Sequence, residues 1–218
     1  MTSLVSLSDV STRLALGATV PAELSALLLQ IMDDTTYVLE QMLGTSFDRT
    51  TRADIFYLDS RREKPFVGNN AWLRTKQGFI DSGATFEIRS ALTIQELPNP
   101  TPDDLSGVQV DYDRGKIILG SSNYIGVVDR KLYPQEWDEH YVQVDYTAGF
   151  TELSGVYNGV PNWLQSIALS VTADTYRTEK GCGKKGSCTQ TCAEKAAKYY
   201  ARIEDKLRFL PAAYDPMI

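Results

Sequence analysis

Val142-Gln143-Val144-Asp145-Tyr146-Thr147-Ala148-Gly149-Phe150 is the stretch on which the reading of this chain turns. Val142, Val144 and Tyr146 alternate with Gln143 and Asp145, the period of a strand with one wet face. A little further on, Val160-Pro161 opens a segment in which Leu164, Ile167, Ala168, Val171 and Thr175 recur at helical spacing. The stretch is a boundary between two textures, strands before it and helices after it.

Upstream of it, short runs rich in β-branched and aromatic residues are separated by Gly, Pro, Asn and Asp clusters: Thr50 to Leu58, Ala71 to Thr75, Thr85 to Ala91, Val108 to Tyr112, Lys116 to Leu119 and Tyr141 to Tyr146. Most of these gaps are too short for the crossover helices that parallel strands need, so the strands are expected to be antiparallel. Asp113-Arg114-Gly115 reads as a hairpin turn between two of them, and the proline-containing stretch Pro98 to Asp104 reads as a loop.

Before the strands come two helices. Ser6, with Asp9 three residues on, caps a short one that carries Val10 and Leu14 and ends at Gly17. Pro21 opens a longer one whose stripe is Leu24, Leu27, Leu28, Ile31, Val38, Leu39 and Met42. Thr35 is the polar position in that stripe, and Gly44 is the C-terminal cap. After the strands, the Pro161 helix is predicted to run to Lys180 near Gly181. Thr191 with Glu194 then makes a capping-box pattern ahead of Ala193, Ala196, Ala197, Tyr200, Ile203 and Leu207. Pro211 and Pro216 stop further helix.

The expected fold is α+β, a helical bundle of about four helices with an inserted small antiparallel β-domain. Its parts are 1–44 and 151–210 for the helical core, 45–150 for the insert and 211–218 for a C-terminal tail.

The chain has 218 residues, of which 43% are hydrophobic and 23% charged, the make-up of a folded globular protein. Its formal net charge of −6 argues against a grip on nucleic-acid phosphates, which needs a basic excess. The strongest apolar run, Ala26 to Met32, is far short of the roughly 20 residues of a membrane span. The N-terminus lacks the marks of a secretory signal, so synthesis is expected in the cytoplasm, with no membrane partner.

The search for chemistry finds no catalytic set and no cofactor motif. His140 is the sole histidine, and neither a His-Glu-x-x-His pair nor a nucleophile-elbow serine accompanies it. Gly181 and Gly186 have the glycine spacing of a phosphate loop, but Ser187 stands where its lysine belongs. Asp33 with Asp34, Asp103 with Asp104 and Asp111 with Asp113 read as solvated turns and caps rather than convergent acids. Cys182, Cys188 and Cys192 form a C-x5-C-x3-C cluster read as one loop. Reduced thiols are the favoured state for it. A disulfide between two of the three and a zinc site with a fourth ligand from elsewhere are the alternatives. The twelve tyrosines suit interfaces, where apolar area and a hydrogen-bonding tip are both useful.

The ordering of elements, with Tyr146, Gly149 and Phe150 closing a strand, Val160-Pro161 starting a helix and Tyr176-Arg177 ending it, resembles the head-to-tail connector (adaptor) proteins of tailed bacteriophages. Trp72-Leu73-Arg74 and Val110-Asp111-Tyr112-Asp113-Arg114-Gly115 with Ile117-Ile118-Leu119 look like the β-insert of the longer members. The segments Asn123 to Glu139 and Gly181 to Cys192 depart from the pattern.

The resemblance implies a structural virion protein of the neck and not an enzyme. It would form a homo-oligomeric ring, usually of twelve copies, beneath the portal. Genome DNA would pass through without specific binding, and a neck, stopper or tail protein would dock below. It further implies that Phe209, Leu210, Tyr214, Met217 and Ile218 at the C-terminus reach the portal. A tail terminator or tail-completion protein is an alternative. A carbohydrate-binding or glycan-cleaving β-domain using Trp72 and Trp137 is another.

Overall fold

The computed structural model describes residues 2–17, 20–58, 66–67, 70–91, 93–97, 102, 105, 108–119, 140–182 and 191–199. The chain is mixed α+β, with four helices and three small antiparallel sheets among these residues. It separates into two compact units, with chain crossings at Asp48/Arg49 and Gly149/Phe150. The sequence reading had placed these crossings at 44/45 and 150/151.

In the unit that holds both ends of residues 2–199, helix α1 is Leu7–Arg13 and α2 is Ala22–Leu43. Ser6 and Asp9 form a reciprocal capping box on α1: the Ser6 hydroxyl accepts from the Asp9 N–H at 3.1 Å, and Asp9 Oδ2 accepts from the Ser6 N–H at 3.3 Å. Pro21 stands just outside α2 as its N-cap instead of in its first turn. Gly44 closes the helix in the left-handed region at φ +62°, where a glycine carries no side-chain penalty.

Leu28, Ile31, Met32, Thr35, Thr36, Val38 and Leu39 of α2 are buried. They bear out the middle of the 3.6-residue stripe, whose Leu24, Leu27 and Met42 are half-buried, and widen it by Met32 and Thr36. Helix α3, Asn162–Cys182, buries Leu164, Ile167, Ala168, Val171, Thr172, Ala173, Thr175 and Tyr176 and packs on both α1 and α2. Helix α4 is described over 191–199 and buries Cys192 and Ala196.

The second unit contains β1 Thr50–Leu58, β2 Phe66–Val67, β3 Asn70–Arg74, β4 Glu87–Ala91, β5 Gln109–Asp111, β6 Lys116–Leu119 and β7 His140–Ala148. They make two antiparallel sheets, in the orders β1-β7-β4 and β2-β3-β6-β5. Phe56, Ile88, Val142, Val144, Tyr146 and Ala148 of the first sheet share one apolar cluster with Leu73 and Ile117 of the second. The expected small antiparallel β-domain thus holds two sheets with a common core.

One expectation is refined. The part 151–210, assigned to C-terminal helices of which the first opens at Pro161, begins with a hairpin of β8 Thr151–Leu153 and β9 Val156–Asn158. Three-residue strands offer too few alternating positions for a period to show in sequence. What stabilises them is non-local: Ser3 lies beside β9, its N–H donating to the Gly155 carbonyl at 3.1 Å and its carbonyl accepting from the Tyr157 N–H at 2.9 Å.

Candidate assembly surfaces

Three places in the helical unit present groups that its own folding leaves unused. The first is the outward side of α2, where Leu29 and Tyr37 are 51% and 54% exposed. The second is the tip of the β8–β9 hairpin, where Leu153 is 66% exposed beside Ser154 at φ +53°. All three residues of β8 face solvent. The third is a cleft of about 460 Å³ between α1 and α3, walled by Asp9 and Arg13 on one side and by Asn162, Gln165 and Leu169 on the other, with Val5 between.

The base of the hairpin is closely packed. Phe47, Phe150 and Tyr157 form an aromatic trio with ring centroids 5.8–6.2 Å apart. The Tyr157 hydroxyl donates to Asp48 Oδ1 at 2.6 Å. Burial, followed by the hydrogen bond and charge of Asp48, pushes the Tyr157 phenol well above the usual tyrosine range. Glu40 Oε1 accepts from the Phe47 N–H at 2.6 Å, which ties the end of α2 to the same trio.

The β-unit holds a second pair of the same chemistry. Alternation along β1 turns Asp54 toward the core with Phe56, and Asp54 is only 4% exposed. Its Oδ2 accepts from the Tyr146 hydroxyl at 2.7 Å and from the Lys76 N–H at 2.6 Å, and the Gln77 N–H donates to the Tyr146 oxygen at 3.2 Å. The Tyr146 phenol is raised far above its ordinary value by burial first, then by the hydrogen bond and charge of Asp54. The sequence reading passed over Asp54. Its signal was present as an acid on the same parity as Phe56 in a strand.

The other face of this sheet carries charge. Glu87 and Asp145 sit directly opposite each other across β4 and β7, and Arg89 bridges both, at 2.5 Å to Asp145 Oδ2. Without Arg89 the opposed carboxylates would repel across the strands.

The β5–β6 turn comes where Asp113-Arg114-Gly115 predicted it, and Arg114 closes back on Asp111 at 2.9 Å. Asp113 is pushed up by burial and then by Asp111, with Arg114 opposing.

Several residues singled out in the sequence take defined places. His140 heads β7 opposite Leu58, and Trp72 lies in β3 opposite Ile118. Cys182 closes α3 and Cys192 lies in α4, so two of the three cysteines belong to helices and not to one loop. The Cys192 thiol is fully buried, 3.5 Å from Thr35 Oγ1, which also accepts from the Thr172 hydroxyl at 3.3 Å. This polar seam is what occupies the one polar position of the α2 stripe.

Cys188, Trp137 and the tail residues Phe209, Leu210, Tyr214, Met217 and Ile218 lie outside the described residues, as do the Cys182 and His140 side chains. Among the described residues no group of three or more His, Cys, Asp or Glu is arranged to hold a metal ion, and no helix is long and apolar enough to cross a membrane.

Comparison of the chain with protein-family models and with curated proteins returns no match.

Proposed function

We propose that this chain is a structural virion protein, a head-to-tail connector that forms a ring beneath the portal and offers a platform to a neck or tail protein. In this reading the four helices form one bundle and the strands 49–149 are a domain inserted into it. The observation that carries the proposal is that large apolar side chains stand more than half exposed on two separate elements, Leu29 and Tyr37 on α2 and Leu153 on the hairpin. Ring subunits need two different sticky faces, because each copy contacts its neighbours head to tail.

The residues of the connector-like pattern also have work suited to a retained framework. Tyr146 anchors Asp54, Gly149 turns the chain at φ +92°, and Phe150 packs on Phe47 and Tyr157. The Pro161 carbonyl accepts the first helical N–H groups of α3, and Tyr176 is buried near the other end of that helix. The chain's acidity suits a channel past which DNA slides without sticking. The C-terminal residues Phe209, Leu210, Tyr214, Met217 and Ile218 are proposed to dock on the portal, each large apolar side chain contributing about 1.5–3 kcal/mol before the cost of ordering the tail.

Negative-stain imaging of the purified protein, alone and mixed with its portal, is the test. Closed rings that join the portal, and a chain cut after Arg208 that folds but no longer joins, are the expected results. A monomer that hydrolyses glycans, or a ring that seats on a tail tube and ignores the portal, would overturn the proposal.

A further inference from the structure

The hairpin tip and the α1–α3 cleft complement each other, although they belong to the same unit and neither fills the other within one chain. Among the described residues the cleft is lined by 5–13 and 162–170 alone, so the hairpin of its own copy stays outside it. Its α1 wall ends in Arg13, a cation in the last turn of the helix with no ion pair among the described residues. The neighbouring Asp9 is already engaged by Ser6. The opposite wall brings Leu169, with Val5 between the two walls.

At the hairpin, Glu152 and Leu153 are exposed, and among the described residues no ion pair holds Glu152. Consecutive strand residues point to opposite sides. A tip entering a two-walled cleft therefore offers its carboxylate to one wall and its leucine to the other. The hydrogen bonds that the Ser3 N–H donates to Gly155 and its carbonyl accepts from Tyr157 hold this tip in shape beforehand, which lowers the ordering cost of docking. The exposed side of α2 is a poorer receptor, because Asp33 lies between Leu29 and Tyr37 and would face Glu152 with like charge.

We propose that the β8–β9 tip of one copy wedges into the α1–α3 cleft of the next, Glu152 pairing with Arg13 and Leu153 packing against Val5 and Leu169. This contact rests on the ring reading and identifies the surfaces that would close the ring.

The test uses the full chain. A photo-crosslinking amino acid at Leu153, in a mixture of isotopically light and heavy protein, should link to peptides 5–13 or 162–170 of the other isotope. Glu152→Lys and Arg13→Glu should each weaken self-association about tenfold or more, as loss of a close interfacial charge pair does. The double variant, which restores opposite charges at every contact, should recover most of it. Both altered side chains are exposed, so circular dichroism should show unchanged folding. Rings that form equally well in both single variants, or crosslinks that fall elsewhere, would overturn the contact while leaving the ring reading intact. A wild-type chain that stays monomeric with and without portal would overturn both.

Discussion

The two units each contain a tyrosine donating to an aspartate and each contain a tight hairpin, yet they use these parts differently. In the β-unit, Asp54 is buried under Tyr146 and Lys76, and the β5–β6 turn is folded back, Gly115 buried and Asp111 closed on Arg114. In the helical unit, Asp48 is exposed beneath Tyr157, and the β8–β9 tip puts Leu153 in water. The same chemical pair locks a core in one place and braces a projecting tip in the other. On general physical grounds burial, more than the identity of the pair, sets what such a contact is worth.

The largest expected effect tests the apolar side of that contrast. Leu28→Ala and Ile167→Ala remove fully or almost fully buried side chains where α2 meets α3, and each should cost about 2–5 kcal/mol in denaturant unfolding. If neither changes the midpoint, the helical unit is not held by this stripe.

Next comes the pair of aspartates. Asp54→Ala strands the Tyr146 hydroxyl and the Lys76 N–H inside the β-unit and should cost about 2–4 kcal/mol, whereas Asp48→Ala at the exposed pair should cost about 1 kcal/mol. Equal losses from the two variants in parallel melts would break the burial argument.

The hairpin tips should respond with opposite signs. A Cβ at Gly115, at φ +62°, would come within 2.1 Å of Thr75 Oγ1 and 2.6 Å of the Gln77 carbonyl. Gly115→Ala should destabilise by at least about 1–2 kcal/mol from the backbone conformation alone. Ser154 pays the left-handed cost already at φ +53°, so Ser154→Gly should stabilise slightly, by less than about 1 kcal/mol.

The smallest effect appears only in alkali. Tyr146 and Tyr157 hold their protons in the folded chain beyond the ordinary tyrosine value of about 10, while the unfolded chain loses them there. Their contribution is fully present below about pH 10 and is lost as the pH rises through the raised folded values. Stability measured against pH should therefore be insensitive to these groups near neutrality and fall above about pH 10. Tyr146→Phe and Tyr157→Phe should each flatten that fall. A slope unchanged in both variants would remove the tyrosines as its cause.

Much of the fold was legible in advance because its elements are long enough to show a period. The predicted strands Thr50 to Leu58 and Lys116 to Leu119 agree with the observed ends, and the other four lie within two residues of theirs at either end. Both long helices follow their apolar stripes, and the prolines mark their starts to within a residue. The capping box at Ser6 and the turn at Gly115 were readable because each depends on residues close in sequence. The β8–β9 hairpin was not, since its strands are short and it is completed by Ser3, more than a hundred positions away. Asp54 is the other omission: its parity with Phe56 in β1 carries the signal, but an acid in a strand is ordinarily on the wet side.

The sequence by itself determined the α+β class, the kind and rough bounds of the longer elements and the antiparallel pairing, because periodicity, caps and turn residues act over a few neighbouring positions. Tertiary structure alone decided that the strands form two sheets around one cluster, that Thr35, Thr172 and Cys192 meet in a buried seam, and that Arg13 faces Leu169 across a cleft while Leu153 stands clear. Each of those facts joins residues far apart along the chain. Which partner a side chain finds at such distance depends on how whole elements pack, and no local pattern encodes that.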